Sequence, residues 1–390
     1  MYITQRLYGK TNAEDTYMSF LMDEDPKPQG AESIFLYGSA ATKTIKVTEP
    51  PKEIVGFFNA EEAEDTLDVI VSAAKMSLSG EPSSWYRHYT IQKSDGGERP
   101  IDDPCLALRA YHTQLEHALK KNFFVLYDDS AFAYAQHRST LKCVQRHQHG
   151  NYFLKTDFHN FFGSTTLDET MKILSEKIWP FTTFCERPER KELLRTALSY
   201  CFLNGGLPQG STISPMLTNL VMIPFDYEVN KNFERAFGKD ITYTRYADDC
   251  LISMRWEKPV KALKAQIYKT LRECGYPYKL NNKKTRYGSV KGRNWHLGYM
   301  LNGNHEITIG HEAKRLMKAD LYHLYKDWGN FQLFTLEWAQ QFQGRLGYYK
   351  HVEPEYVQKQ ILHVKSKTCR WWLDANSMLN TLIRIKRMHY

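Results

Sequence analysis

The sequence predicts an α/β fold, more narrowly α+β, with an antiparallel sheet built from hairpins and a helical segment at the end of the chain. Three observations predict it. Strand-like pieces flank tight polar turns at 85–103 and 241–255. Apolar residues recur at three- and four-residue steps between them. From 311 to 390 the pattern is mostly helical, with Pro354 starting one segment. A chain of 390 residues is long enough for two or three packed subdomains. The expected division is an extension over 1–80, a mixed body over 81–310, and a helical segment with a basic tail over 311–390.

In order along the chain, residues 1–60 carry no motif. Over 61–79, Leu67, Ile70, Val71, Ala74 and Leu78 fall on one helical face, behind an acidic first turn of Glu61, Glu62, Glu64 and Asp65. Residues 85–103 read as a hairpin around Asp95-Gly96-Gly97, and 104–123 as a helix. Residues 151–157 form a short buried strand ending in a carboxylate. Helices are expected over 167–178, 188–204, 211–236 and 258–274. A hairpin over 241–255 turns at Tyr246-Ala247-Asp248-Asp249, and another over 295–309 has Asn302-Gly303-Asn304 at its tip.

Hydrophobic residues make up 42% and charged residues 25% of the chain, as in an ordinary globular protein. The formal net charge of +8 favours a polyanionic partner, and an aromatic share of 14% suits stacking on bases. Seven scattered cysteines, never in C-x-x-C, argue against a disulfide framework and a zinc ribbon. With no signal pattern and no bilayer-length apolar run, a cytoplasmic protein away from membranes is expected.

Three acidic residues sit where the surrounding sequence is apolar: Asp157 after its strand, and Asp248-Asp249 at the hairpin tip. An ionised carboxylate is costly to bury unless something pairs with it. A divalent cation does so, and Mg²⁺ needs only a few carboxylates when substrate phosphates complete its shell. An isolated Asp-Asp pair would be read as a polar turn; the flanking motifs reverse that reading.

Those motifs carry a resemblance. Tyr243-Thr244-Arg245-Tyr246-Ala247-Asp248-Asp249 looks like the Y-x-D-D palm motif of reverse transcriptases. Thr156-Asp157-Phe158-His159-Asn160-Phe161-Phe162 is similar to their D-x-x-x-F-F motif. Leu207-Pro208-Gln209-Gly210-Ser211-Thr212-Ile213-Ser214-Pro215 with Asn219 matches P-Q-G-x-x-x-S-P-x-x-x-N. Order and spacing agree over roughly 85–350. The resemblance implies a right-hand polymerase: fingers and palm with an antiparallel palm sheet, then a helical thumb. It implies two Mg²⁺ ions, with Mn²⁺ as substitute, held by Asp157, Asp248, Asp249 and the carbonyl of Phe158, the three Asp being catalytic.

The resemblance assigns further roles. Lys93 and Arg99 on the fingers hairpin would close on the dNTP triphosphate. Phe162 would crowd the sugar 2′-position and Gln209 would line the same site, whereas Phe161 is read as core. Asn281-Asn282-Lys283-Lys284-Thr285 resembles N-x-x-K-T, with Lys284 chosen over Lys283 near the phosphates. Ala131-Phe132-Ala133-Tyr134 with Arg138 resembles the template-contacting segment. Trp295-His296-Leu297-Gly298-Tyr299 resembles the primer grip, which marks Leu297, Gly298 and Tyr299. Ser214-Pro215 and Asn219 are expected to shape the helix that follows.

Among subfamilies, Ser214-Pro215 departs from the S-Q of diversity-generating enzymes, and the stretch beyond the expected thumb is too short to be read as the long maturation domain of group II intron maturases. The Tyr-Thr-Arg-Tyr-Ala-Asp-Asp string is retron-like. The retron N-A-x-x-H and V-T-G signatures keep only His147 and Gly298. A bacterial stand-alone enzyme, of the retron-like or antiphage defence group, is what remains. It is expected to copy a cognate structured noncoding RNA, to bind dNTPs and DNA product or RNA–DNA hybrid, and to be free of membranes; a homo-oligomer stays open. Untemplated DNA synthesis of the abortive-infection type is the alternative, followed by an inactive RNA-binding scaffold.

Overall fold

A computed structural model of the chain describes residues 58–92, 96–123, 127–292 and 294–388. Lys93 and most of the expected N-terminal extension lie outside the described residues. The chain divides into two compact units, one running to Ser139 and resuming over Leu154–Tyr287, the other formed by Thr140–Phe153 and the chain from Gly288 on. The division expected from the sequence has its boundaries after residues 80 and 310.

In the first unit, helix α1 (Ala60–Ser77) starts at Asn59, whose side chain accepts from the amides of Glu61 and Glu62. Its buried face is Ala63, Leu67, Ile70, Val71 and Ala74. Grouped above with the N-terminal extension, α1 packs against α2 (Leu106–Asn122) and against α6 (Pro188–Ser199). An Arg190–Glu64 ion pair of 2.7 Å joins α1 to α6. The fingers-like hairpin pairs β1 (Tyr86–Gln92) with β2 (Glu98–Pro104) in antiparallel register, Ile91 opposite Arg99.

The central sheet has the order β4-β5-β3-β6, from β3 (Tyr152–Asp157), β4 (Ile241–Tyr246), β5 (Asp249–Met254) and β6 (Arg286–Ser289). Strands β4 and β5 form the predicted hairpin, with Tyr246 opposite Asp249. Behind lies α7 (Ser214–Phe237), which opens with Pro215 in its first turn and ends at Gly238. It packs on β4, on α4 (Leu167–Lys177) and on α8 (Val260–Cys274). Two short helices were not predicted, α3 (Thr140–Gln145) and α5 (Phe181–Phe184). Each is too short for a periodic signal.

The second unit holds a three-stranded sheet, β7 (Asn294–His296), β8 (Tyr299–Leu301) and β9 (Ile307–Thr308), in that order. The expected single hairpin over 295–309 is therefore a meander. Its first turn is Leu297-Gly298, both at positive φ (49° and 87°), and the 302–306 segment makes the second. Asn302 organises that second turn by accepting from the amides of Asn304 and Glu306. Helices α9 (Gly310–Lys326), α10 (Leu336–Val352), α11 (Pro354–Thr368) and α12 (Ala375–Met388) follow. They share one core that includes Leu321, Phe342, Leu346, Val357 and Leu379. No described helix is long and apolar enough to cross a membrane.

Candidate polymerase active site

Strand β3 ends at Asp157, and the neighbouring strand β5 begins at Asp249. A backbone bond from the Phe158 amide to the Asp248 carbonyl (3.1 Å) sews the β3 end to the hairpin tip. The Asp157 carbonyl accepts from the Asn281 amide at 2.8 Å, which brings the N-x-x-K-T segment alongside. Asp157 as a whole residue is 3% exposed. Lys284 Nζ donates to Oδ2 at 2.7 Å, while Oδ1 is buried and accepts no hydrogen bond.

The three carboxylates feel one another. Burial first, then the charges of Asp249 and Asp157, hold Asp248 above the usual carboxylate range. Burial also raises Asp249, against the pull of Lys155, whose Nζ lies 3.8 Å away. Lys284 is raised above the ordinary lysine value, first by its hydrogen bond to Asp157. A buried acceptor without a donor, beside two carboxylates that repel, fits a divalent cation. Among the described residues no group of three or more His, Cys, Asp or Glu side chains is placed to hold a metal ion by itself. A cation that keeps water and substrate oxygens in its shell needs only this sparse share from protein.

Other sequence-marked residues converge here. Phe158 is buried against Phe161, Phe225 and Tyr278, so its side chain is core and only its backbone faces the site. Phe161 is core as well, and Phe162 is half-buried. The Phe162 carbonyl accepts from the Leu207 amide at 3.0 Å, which docks the P-Q-G turn on it. Gln209 is half-buried, and its carbonyl accepts from the Asp102 amide of β2 at 2.7 Å. Gly210 is at φ +128°, and a Cβ there would stand 2.7 Å from the Asp102 carbonyl oxygen, so only glycine fits. Arg99 is exposed on β2; both it and Asp248 act on the Tyr134 phenol, which burial raises first.

Arg138 points elsewhere. Its guanidinium donates to the carbonyls of Asp128, Ala131 and Tyr127 and stacks over Phe132, 5.9 Å from the ring centre. That side chain braces its own loop. Leu297, Gly298 and Tyr299 belong to the second unit. There the Gly298 carbonyl accepts from Tyr348 Oη at 2.6 Å, and Tyr299 Oη meets Thr140 Oγ1 at 3.1 Å.

Sequence reasoning passed over a buried network next to the tip. Arg245 and Asp226 are fully buried and paired at 2.7 Å. Asn219 spends its side chain on Arg245 and on the Ala133 carbonyl, beyond its expected part in shaping α7. A signal existed: Arg245 in an apolar strand and Asp226 in an apolar helix each demand a partner.

A palm-type sheet that sets Asp157, at the end of β3, beside the Asp248-Asp249 tip of the β4–β5 hairpin, with a glycine-rich turn docked close by, defines a nucleotidyltransferase. Residues 91–312 match the model of the reverse transcriptase (RNA-dependent DNA polymerase) family. The chain belongs to that family, with its right-hand fold, and is an RNA-directed DNA polymerase, a class that works with divalent metal ions, an RNA template and a DNA product. It is 29% identical over 309 residues to the retron Ec83 reverse transcriptase of Escherichia coli, covering 76% of this chain and 92% of that one. With the retron Ec73 reverse transcriptase of the same organism it shares 25% over 298 residues, 74% and 88% of the two chains. Similarity to these retron enzymes therefore survives the departures at the N-A-x-x-H and V-T-G positions. Among solved structures, apo telomerase from Candida tropicalis aligns over 90% of this chain and 67% of its own, at 12% identity and a TM-score of 0.45.

Proposed function

We propose that this reverse transcriptase copies a cognate structured noncoding RNA into DNA by two-metal nucleotidyl transfer, in a bacterial antiphage defence or retroelement system. The observation that carries the chemistry is the buried, unpartnered Oδ1 of Asp157 beside the mutually repelling Asp248 and Asp249. Bound there, two Mg²⁺ ions would lower the pKa of the primer 3′-hydroxyl and offset charge on the leaving pyrophosphate. Asp157 and Asp248 would hold the ions, Asp249 would support the set from its neighbouring position, and the Phe158 carbonyl would add an oxygen. Lys284 exchanges its bond to Asp157 for phosphate oxygens as the nucleotide arrives. Arg99, with Lys93, closes on the triphosphate. Phe162 crowds the sugar 2′-position, and Gln209 lines the same pocket. Leu297, Gly298 and Tyr299 hold the primer end through a tight turn. Arg138 orders the template-side loop from within, because its fork is occupied by carbonyls. Similarity to the retron enzymes supports the dedicated RNA template.

The test is to purify wild type and Asp248→Asn from the native context and sequence all co-purifying RNA and DNA. Primer extension by Asp157→Asn and Asp248→Asn runs alongside. One structured RNA in both samples, with complementary DNA only in the wild type, is the expected result. Extension should fall by about three orders of magnitude, the several kcal/mol that metal stabilisation supplies, with RNA binding kept. DNA unrelated to the bound RNA would replace this reading with untemplated synthesis, and active Asp mutants would overturn the site.

A further inference from the structure

We infer that Arg245 is a positioning residue for the carboxylate tip: anchored on Asp226 and Asn219, its guanidinium holds the Ala247 carbonyl and so fixes the strained turn that presents Asp248 and Asp249. This rests on the reading of those carboxylates given above.

The register Tyr246 opposite Asp249 leaves only Ala247 and Asp248 in the turn. Ala247 sits at φ 56°, in the left-handed region, where a Cβ is strained. Such a conformation persists only when its surroundings over-determine it. Strand β4 supplies the means two residues earlier. Arg245 is fully buried. Its Nε and Nη2 fork the Asp226 carboxylate at 2.9 and 2.7 Å. Its Nη1 donates to Asn219 Oδ1 and to the Ala247 carbonyl, each at 3.0 Å.

Every anchor is itself anchored. Asp226 Oδ1 also accepts from Tyr243 Oη at 2.9 Å. Asn219 Nδ2 donates to the Ala133 carbonyl at 2.6 Å, so the amide cannot turn away. The Arg245 backbone pairs with the 130–132 segment, its amide on the Ser130 carbonyl (2.7 Å) and its carbonyl under the Phe132 amide (2.8 Å). The guanidinium is thus a rigid bracket whose Nη1, held by Asn219, also reaches the tip. Lysine would keep the charge but not the planar fork that serves three partners at once. A buried ion pair that merely stabilised the sheet would have no need of the arm that reaches Ala247.

The experiment compares wild type, Arg245→Lys, Ala247→Gly and the double variant as full-length chains in RNA-templated primer extension. Rates are taken per folded molecule, with the folded fraction measured by circular dichroism, and Mg²⁺ is titrated. For Arg245→Lys we expect kcat to drop at least tenfold and the half-saturating Mg²⁺ concentration to rise severalfold. KM for dNTP and affinity for template–primer should stay within about twofold. Glycine adopts the left-handed turn without a bracket, so Ala247→Gly in that background should recover at least threefold in kcat. Wild-type kcat and Mg²⁺ dependence in the folded Arg245→Lys enzyme, or no recovery in the double variant, would overturn the inference. Should Arg245→Lys not fold, Asn219→Ser removes one anchor of the same arm, leaves the Arg245–Asp226 pair intact, and is read by the same criteria. Asp248→Asn serves as the reference. If it stays active, the carboxylate reading fails; if it is dead while Arg245→Lys is unimpaired, only the bracket fails.

Discussion

Asp128 lies in the segment that pairs with β4, two residues before the Ser130 carbonyl that accepts from Arg245. Its Oδ1 accepts from the Ser130 amide and hydroxyl and from Asn230 Nδ2. Burial above all, then the charge of Asp226, pushes its carboxyl from 3.8 up to about 6. The folded state therefore holds this proton more tightly than the unfolded chain. The stabilisation is full below the unfolded value near 3.8 and is lost as pH rises through about 6. The span is on the order of 3 kcal/mol. Asp128→Asn keeps an acceptor at that point without the charge. In denaturant melts from pH 3.5 to 7, the variant should gain stability relative to wild type as pH rises between those values. A flat difference curve would show that Asp128 does not titrate this way.

At the scale of elements, the site is made where two turns from distant parts of the chain meet. Leu203 and Gly206 close a turn by exchanging backbone bonds of 2.8 and 3.1 Å, and the next residue, Leu207, docks on the Phe162 carbonyl. A Cβ on Gly206 would lie 2.8 Å from both the carbonyl carbon and Cα of Gly163, which follows Phe162. Gly206→Ala must therefore push that turn away, at a cost of about 1–3 kcal/mol in stability. If Phe162 guards the sugar 2′-position, the shift also opens the guard. Ribonucleotide incorporation relative to deoxyribonucleotide should rise roughly fivefold, about 1 kcal/mol of discrimination, in competitive extension assays. Unchanged selectivity in a destabilised variant would detach Phe162 from sugar choice.

For the molecule as a whole, the net charge of +8 belongs with a polyanionic partner. Binding that neutralises several phosphates releases counterions, so affinity for RNA should fall about tenfold or more between 50 and 200 mM salt. Fluorescence anisotropy on labelled RNA measures it, and Asp248→Asn should show the same slope, because that carboxylate makes no phosphate contact of its own. A salt-independent affinity would mean that binding is carried by base stacking and shape.

The sequence by itself determined what is local or ordered along the chain. The apolar stripe of α1, the Tyr246–Asp249 turn, the strand ending in Asp157 and the order of the three motifs are all legible. Helical and strand periods, turn residues and charges in apolar surroundings leave their mark within a few residues. The tertiary structure alone decided which distant groups meet. It turned Arg138 inward onto carbonyls, set Lys284 rather than Lys283 on Asp157, and joined Arg245 to Asp226 and Asn219. It also made Leu297-Gly298 a turn of its own, inside the stretch where a single strand was expected. The physical reason is common to these cases. A buried polar group must find a partner wherever the packed chain offers one, and which partner comes within 3 Å depends on how β4, α7 and the loops pack, which no local period encodes.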